Sequence, residues 1–198
     1  LSSALVNGTP VGVNTNGEGA RSLGVEFTAT ARPIPGLTLV GNAAFDDAKL
    51  TDDTIPPDGG LNLTGGLDGD DLPYTPEISA NLSIDYEWSL GPNVDAFVGA
   101  NIRIVGDQEA GFSPAYRAVF NRRVEIDSYE AVDLRAGVDF GRFTIQAYAR
   151  NLFDTYGLVS AGDYPSAVQA ALGGADIPLM SGSSIRPRTF GVIVGFEY

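Results

Sequence analysis

The chain contains no cysteine and no histidine. Disulfide staples, thiol chemistry, zinc sites of the usual kind and serine–histidine catalysis therefore lose their key residues. Cations are scarce: 12 lysines and arginines stand against 25 aspartates and glutamates, a net charge of −13. That balance speaks against a nucleic-acid partner or binding to an anionic membrane surface. No stretch approaches the roughly 18 consecutive apolar residues of a transmembrane helix. The opening LSSALVNGTPVG lacks the charged start and apolar run of a signal peptide, so an exported protein needs a leader upstream of it. No catalytic constellation and no cofactor site stand out, and the chain is read as a non-enzyme.

What is present is strand material. The 198 residues have the length of one domain, or of one piece of something larger. With 25 glycines, 12 prolines and 43% hydrophobic residues, the composition suits many strands joined by turns. Residues 77–90, EISANLSIDYEWSL, alternate without an error: Ile78, Ala80, Leu82, Ile84, Tyr86, Trp88 and Leu90 are apolar and the residues between them polar. Chance gives such a run with a probability on the order of 10⁻⁴, so this is a two-faced strand. The same period predicts strands over about 21–32, 37–49, 76–90, 93–106, 128–140, 142–154 and 188–198, with a weaker one in the first 13 residues.

The connections alternate in length. Tight links fall at Pro33–Gly36, Gly91–Asn93 and Gly141–Arg142, and long ones at about 51–75, 107–127 and 155–187. Antiparallel neighbours then carry all short turns at one end and all long loops at the other, as outer-membrane barrels do.

Alternation alone does not say whether the apolar face points inward, as in a soluble barrel, or outward into lipid. The aromatics favour lipid. Tyr86, Trp88, Phe140, Phe143, Phe196 and Tyr198 fall on the apolar face at the short-turn end, and Phe45, Phe153 and Phe190 on that face at the other. Two such levels read as interfacial girdles. The ten residues from Phe143 to Phe153, at about 3.3 Å each and a tilt of about 40°, span roughly 25 Å, the height of a barrel's apolar band. The fold class expected is an all-β, antiparallel transmembrane β-barrel of the outer-membrane type, with about seven or eight strands in these residues.

The runs NGEGARSLGVEF (16–27), PIPGLTLVGNAAFDDAKL (33–50), LPYTPEISANLSIDYEW (72–88), LRAGVDFGRFTIQAYARNLFD (134–154) and RPRTFGVIVGFEY (186–198), in that order, resemble the C-terminal barrel portion of TonB-dependent outer-membrane receptors. The resemblance implies a twenty-two-stranded barrel around an N-terminal plug that these residues do not include, and residues 1–198 as its C-terminal part. It further implies energy-coupled uptake of a scarce substrate such as a ferric siderophore, cobalamin or an oligosaccharide. The implied partners are outer-membrane lipid, the outer-membrane assembly machinery, the TonB complex acting through the plug, and a small-molecule substrate. The implied location is the outer membrane with the C-terminus periplasmic. The last strand resembles the C-terminal signal read by the assembly machinery. A passive porin or small eight-stranded barrel, and a soluble ligand-binding barrel, are the alternative readings.

Candidate sites lie in the long loops. LDGDD offers Asp68, Asp70 and Asp71 as calcium ligands, beside the plainer reading of a solvated acidic loop. FSPAYRAVFNRR carries Phe112, Tyr116 and Phe120 with Arg117, Arg122 and Arg123, and the third loop adds Tyr156 and Tyr164. Aromatic platforms and guanidinium groups suit an anionic ligand, and the same arginines are equally suited to pairing with loop aspartates and holding the loops together. Facing the lumen, Arg103, Asp133, Arg135 and Arg150 suit ion pairs between strands.

Overall fold

The computed structural model describes residues 2–6, 9–13, 19–54, 65–163 and 180–197. Its centre is a seven-stranded antiparallel sheet in the order β13-β10-β9-β6-β5-β4-β3. The strands are β3 (Ala20–Ala31), β4 (Leu37–Leu50), β5 (Ile78–Gly91), β6 (Val94–Val105), β9 (Tyr129–Asp139), β10 (Phe143–Arg150) and β13 (Thr189–Phe196). Each pairs with the next of the seven along the chain, so the sheet is a plain meander. Three small hairpins stand off it: β1 (Ser2–Val6) with β2 (Thr9–Val13), β7 (Gln108–Glu109) with β8 (Glu125–Ile126), and β11 (Leu158–Asp163) with β12 (Met180–Ser184). A helix, α1 (Pro114–Phe120), sits between β7 and β8.

Register keeps the two faces apart across the whole sheet. Val25 faces Phe45, Leu39 faces Ile84, Leu82 faces Ile102, and Ala96 faces Val138. The row continues through Val138 to Ile145 and Ile145 to Val194. A one-residue slip in any strand would turn its entire apolar row to the other side. The tight turns hold this register: Leu37 N donates to Ile34 O at 3.2 Å over Gly36 (φ 83°), and Phe140 N donates to Phe143 O at 2.7 Å over Gly141.

The apolar face has no covering layer among the described residues. Val25 is 71% exposed, Phe190 and Val194 67%, and Leu82 38%. Apart from Phe27, in the middle of β3, its aromatic rings sit toward the strand ends, where Tyr86 stacks on Trp88 at 5.3 Å and Phe143 meets Phe196 across the β10–β13 pair at 4.8 Å. Tyr198 lies outside the described residues. The opposite face is polar and self-satisfied. Asn81 and Asn101 exchange amide hydrogen bonds at 3.1 Å, Thr28 donates to Asn42, and Arg135 donates to Asp85 at 2.6 Å. Tyr148 and Phe97 lie flat on this face over Gly191 and Gly137, where any Cβ would collide with the rings. Buried apolar residues gather instead at the long-loop end: Leu50, Ala110, Val124, Ile126, Tyr129 and Ala131.

Two strand ends depart from the sequence expectation. The alternation runs on to 154, yet β10 stops at Arg150 because Asn151 and Asp154 take positive φ (48° and 56°). The first 13 residues, read as one weak strand, hold the β1–β2 hairpin.

An apolar face this open is stable against lipid and unstable against water. Arginine near the bilayer midplane costs about 2–4 kcal/mol in such barrels. Leu82→Arg should therefore block assembly, read as loss of the heat-modifiable folded band from outer-membrane fractions, whereas Ser83→Arg on the polar face should assemble normally. The reverse pattern would contradict the assignment of faces.

Candidate functional site

Three long connections leave the same end of the sheet, from β4 to β5, β6 to β9 and β10 to β13. The first turns back on β4: Leu50 N donates to Asp70 O at 2.8 Å, and Leu72 N to Ala48 O at 2.8 Å. These bonds set Asp70 and Asp71 facing the second loop.

The second loop answers with two arginines. Arg117, on α1, grips Asp70 in a fork, with Nη2 2.8 and 2.7 Å from its two carboxylate oxygens, and Nη1 donates to Gly65 O at 3.3 Å. Arg123 has an 8% exposed side chain and lies just beyond α1, which ends where Asn121 takes φ 53°. Its Nη1 donates to Asp71 O at 2.7 Å, and its Nη2 reaches Asp71 Oδ2 at 3.1 Å and Glu109 Oε1 at 3.3 Å. Exposed ion pairs contribute about 0–1 kcal/mol, while breaking a buried one costs about 3–5 kcal/mol; this half-sheltered network falls between.

Beneath the ion network lies a small apolar core of Ala110, Val124 and the fully buried Ile126, packed by Tyr116 and by Leu158 and Ala161 of the third loop. Tyr74 joins all three loops: its N–H donates to Glu109 O at 2.8 Å and its hydroxyl to Ala161 O at 2.9 Å.

The candidate ligand residues divide accordingly. Arg117 and Arg123 are turned to carboxylates. Tyr116, half-buried against the Ile126 core, meets the exposed ring of Phe120 at 4.5 Å and a tilt of 39°, and the Arg122 guanidinium lies 5.9 Å from the Tyr116 ring centre, which leaves one cation beside an aromatic pair of which Phe120 faces solvent. Phe112 is half-buried nearby in sequence, and Tyr156 is 76% exposed on the third loop. Tyr164 lies outside the described residues, as does the helix-prone 166–172 segment. Of the calcium candidates, Asp70 and Asp71 face guanidinium groups and Asp68 is exposed. No group of three His, Cys, Asp or Glu residues placed to hold a metal occurs among the described residues.

On the polar face, a cleft of about 240 Å³ is lined by Asp85, Asn101, Asp133, Arg135, Tyr148 and Arg150 among others. Arg135 forms the expected interstrand ion pair with Asp85, whereas Arg150 lies over the Tyr148 ring at 5.0 Å and Asp133 accepts from Asn151 N at 2.8 Å.

Sequence reasoning missed the work done by Asn151. It is 4% exposed, donates through Nδ2 to Thr155 O and Arg186 O at 2.9 and 3.0 Å, and accepts from Thr155 N at 2.9 Å. Asp154 accepts from Arg188 N at 2.8 Å. Together they tie the end of β10 to the start of β13. The signal was an Asn and an Asp three apart after an alternating run, the usual residues for positive φ.

The family described as TonB dependent receptor-like, beta-barrel, matches residues 2–152, and the chain belongs to it. Barrels of this family reside in the outer membrane, and the family is one of receptors and transporters. Three solved structures carry the same fold. The siderophore receptor PiuA from Acinetobacter baumannii is 16% identical with a TM-score of 0.66, over 90% of this chain and 22% of its own. The ferric yersiniabactin uptake receptor FyuA from Yersinia pestis is 18% identical with a TM-score of 0.69, over 90% of this chain and 24% of its own. The ferric preacinetobactin receptor BauA from Acinetobacter baumannii is 18% identical with a TM-score of 0.61, over 98% of this chain and 24% of its own. The chain thus spans about a quarter or less of the solved structures it matches.

Burial pushes the Glu109 carboxyl above its ordinary 4.5, outweighing the pull of Arg123 in the other direction. Its Oε2 is buried with no hydrogen-bond partner among the described residues. The folded value lies above the unfolded one, so the stability Glu109 contributes is fully present below the unfolded value and is lost as pH rises through the folded one. Protection factors of amides in 107–127 should fall across that window, and Glu109→Gln should flatten the fall. An unchanged fall in the variant would assign it to other groups.

Proposed function

We propose that this chain forms the last strands of an outer-membrane receptor that imports a scarce substrate by energy coupled through TonB. The carrying observation is the two-faced meander with all its long loops at one end, in a chain of this family. Its apolar face meets lipid, and the rings of Tyr86, Trp88, Phe140, Phe143 and Phe196 sit at the periplasmic interface. Those of Phe45, Phe153 and Phe190 sit at the outer one. The short turns and the C-terminus are then periplasmic and the ion-paired loops face outward.

The substrate class is that of a ferric siderophore, cobalamin or oligosaccharide. The siderophore reading draws support from the receptors with the same fold, whose own ligands are ferric siderophores. Tyr116, Phe120 and Arg122 are the first candidates for contact, since an aromatic pair beside a guanidinium suits a flat anionic group. Phe112 and Tyr156 are the second. Coupling to TonB belongs to a plug outside these residues, and binding and import require no bond to be made or broken by them.

Cells carrying the gene should accumulate radioiron supplied as a ferric siderophore, and a protonophore should abolish the accumulation. Uptake that continues at the same rate would make the barrel a passive pore. Tyr116→Ala and Arg122→Ala should each weaken binding by roughly tenfold, the scale of an interfacial anchor worth more than 1 kcal/mol, with the folded barrel retained. Unchanged binding in both would remove α1 from the ligand site.

A further inference from the structure

We propose that segments 65–77, 107–127 and 156–163 of the three long loops form one cooperative unit, latched by the Asp70–Asp71 pair gripped by Arg117 and Arg123. The loops arise from separate strand pairs, and flexible connections of this length ordinarily move independently. Here each is fastened to the others by a different kind of contact. The first and second share the Arg117 fork on Asp70 and the Arg123 contacts to Asp71, the latter guanidinium almost wholly shielded from solvent. Arg123 also meets Glu109 of its own loop, so one side chain braces both the β7–β8 hairpin and the returning first loop. The third loop joins through the Tyr74 hydroxyl and through Leu158 and Ala161 packed on the core around Ile126.

The order of these contacts makes the latch cooperative. Asp71 follows directly on the backbone bond from Leu50 to Asp70, and Tyr74, three residues on, carries the bond to the third loop. Arg123 is the most shielded of several holds on the 70–74 segment, beside the Arg117 fork, the backbone bonds to β4 and the Lys49–Asp71 contact, so its release loosens that segment and, through Tyr74, the third loop, which Arg123 does not touch. The pair of Arg135 with Asp85, on strands β9 and β5, stands outside this chain of contacts, whereas the Arg21–Asp47 pair connects to it through Lys49, which reaches Asp47 at 2.7 Å and Asp71 at 3.7 Å.

The consequence for substrate entry rests on the outer-loop reading above, but the latch itself is tested without substrate, so the two fail separately. Hydrogen–deuterium exchange on the folded receptor in detergent would compare segments 65–77, 107–127 and 156–163. In the unmodified protein their slowest amides should share protection factors within about tenfold, as one cooperative unit requires. Arg123→Gln should speed exchange in all three by at least about tenfold, because a shielded charge network loses its centre. Arg135→Gln should leave all three unchanged. Acceleration confined to 107–127, or a spread in the unmodified protein wider than tenfold, would overturn the proposal. The comparison within the unmodified protein stands even where Arg123→Gln fails to assemble.

Discussion

Backbone pairing in register across seven antiparallel strands, with one shift at Ser89–Gly91 beside the β5–β6 turn, is the constraint on which the other features depend. The apolar rows of neighbouring strands run opposite one another, from Val25 and Phe45 at one side to Ile145 and Val194 at the other, and give way at the long-loop end, where Leu23 meets Asp47 and Ile104 meets Glu130. A polar backbone can lie against hydrocarbon only when its N–H and C=O groups are paired along the sheet. The register therefore performs two tasks at once: it satisfies the backbone and it sorts the side chains. A meander of consecutive hairpins is the simplest connection that does both.

That sorting leaves the sheet without an interior of its own, and the structure answers at two other places. On the polar face, side chains pair with one another across strands, and the rings of Tyr148 and Phe97 lie over glycines and leave the space above them open. At the long-loop end, apolar residues that find no lipid gather around Ile126, with ion pairs closing over them. The loops have both a core and a charged network, and so hold a shape that the Tyr116–Phe120–Arg122 cluster, rooted in that core through Tyr116, can use.

The strands were legible from the sequence because their environment has period two, and a face that meets lipid tolerates few interruptions. Residues 77–90 carry that signal by themselves. The strand ends were less legible: at Asn151 the apolar alternation runs on into Phe153, and only the positive φ of Asn151 and Asp154 breaks the strand. Within the loops, sequence identified the chemistry of the arginines and aspartates without choosing between ligand and latch. Distance along the chain hides the pairing, since Asp70 and Arg117 meet only after the first loop folds back on β4. Helix α1 was not legible either, since it is seven residues long and is set by its loop surroundings.

The most direct test concerns Trp88, the one tryptophan of this chain, on the apolar face near the short turns. Its fluorescence would be measured in the folded receptor in bilayers, with any tryptophan outside this chain replaced by phenylalanine. Lipids brominated on the acyl carbons near the headgroup should quench it strongly, and aqueous iodide weakly. Strong quenching by iodide with none from the brominated lipid would place the apolar face away from lipid and contradict the account.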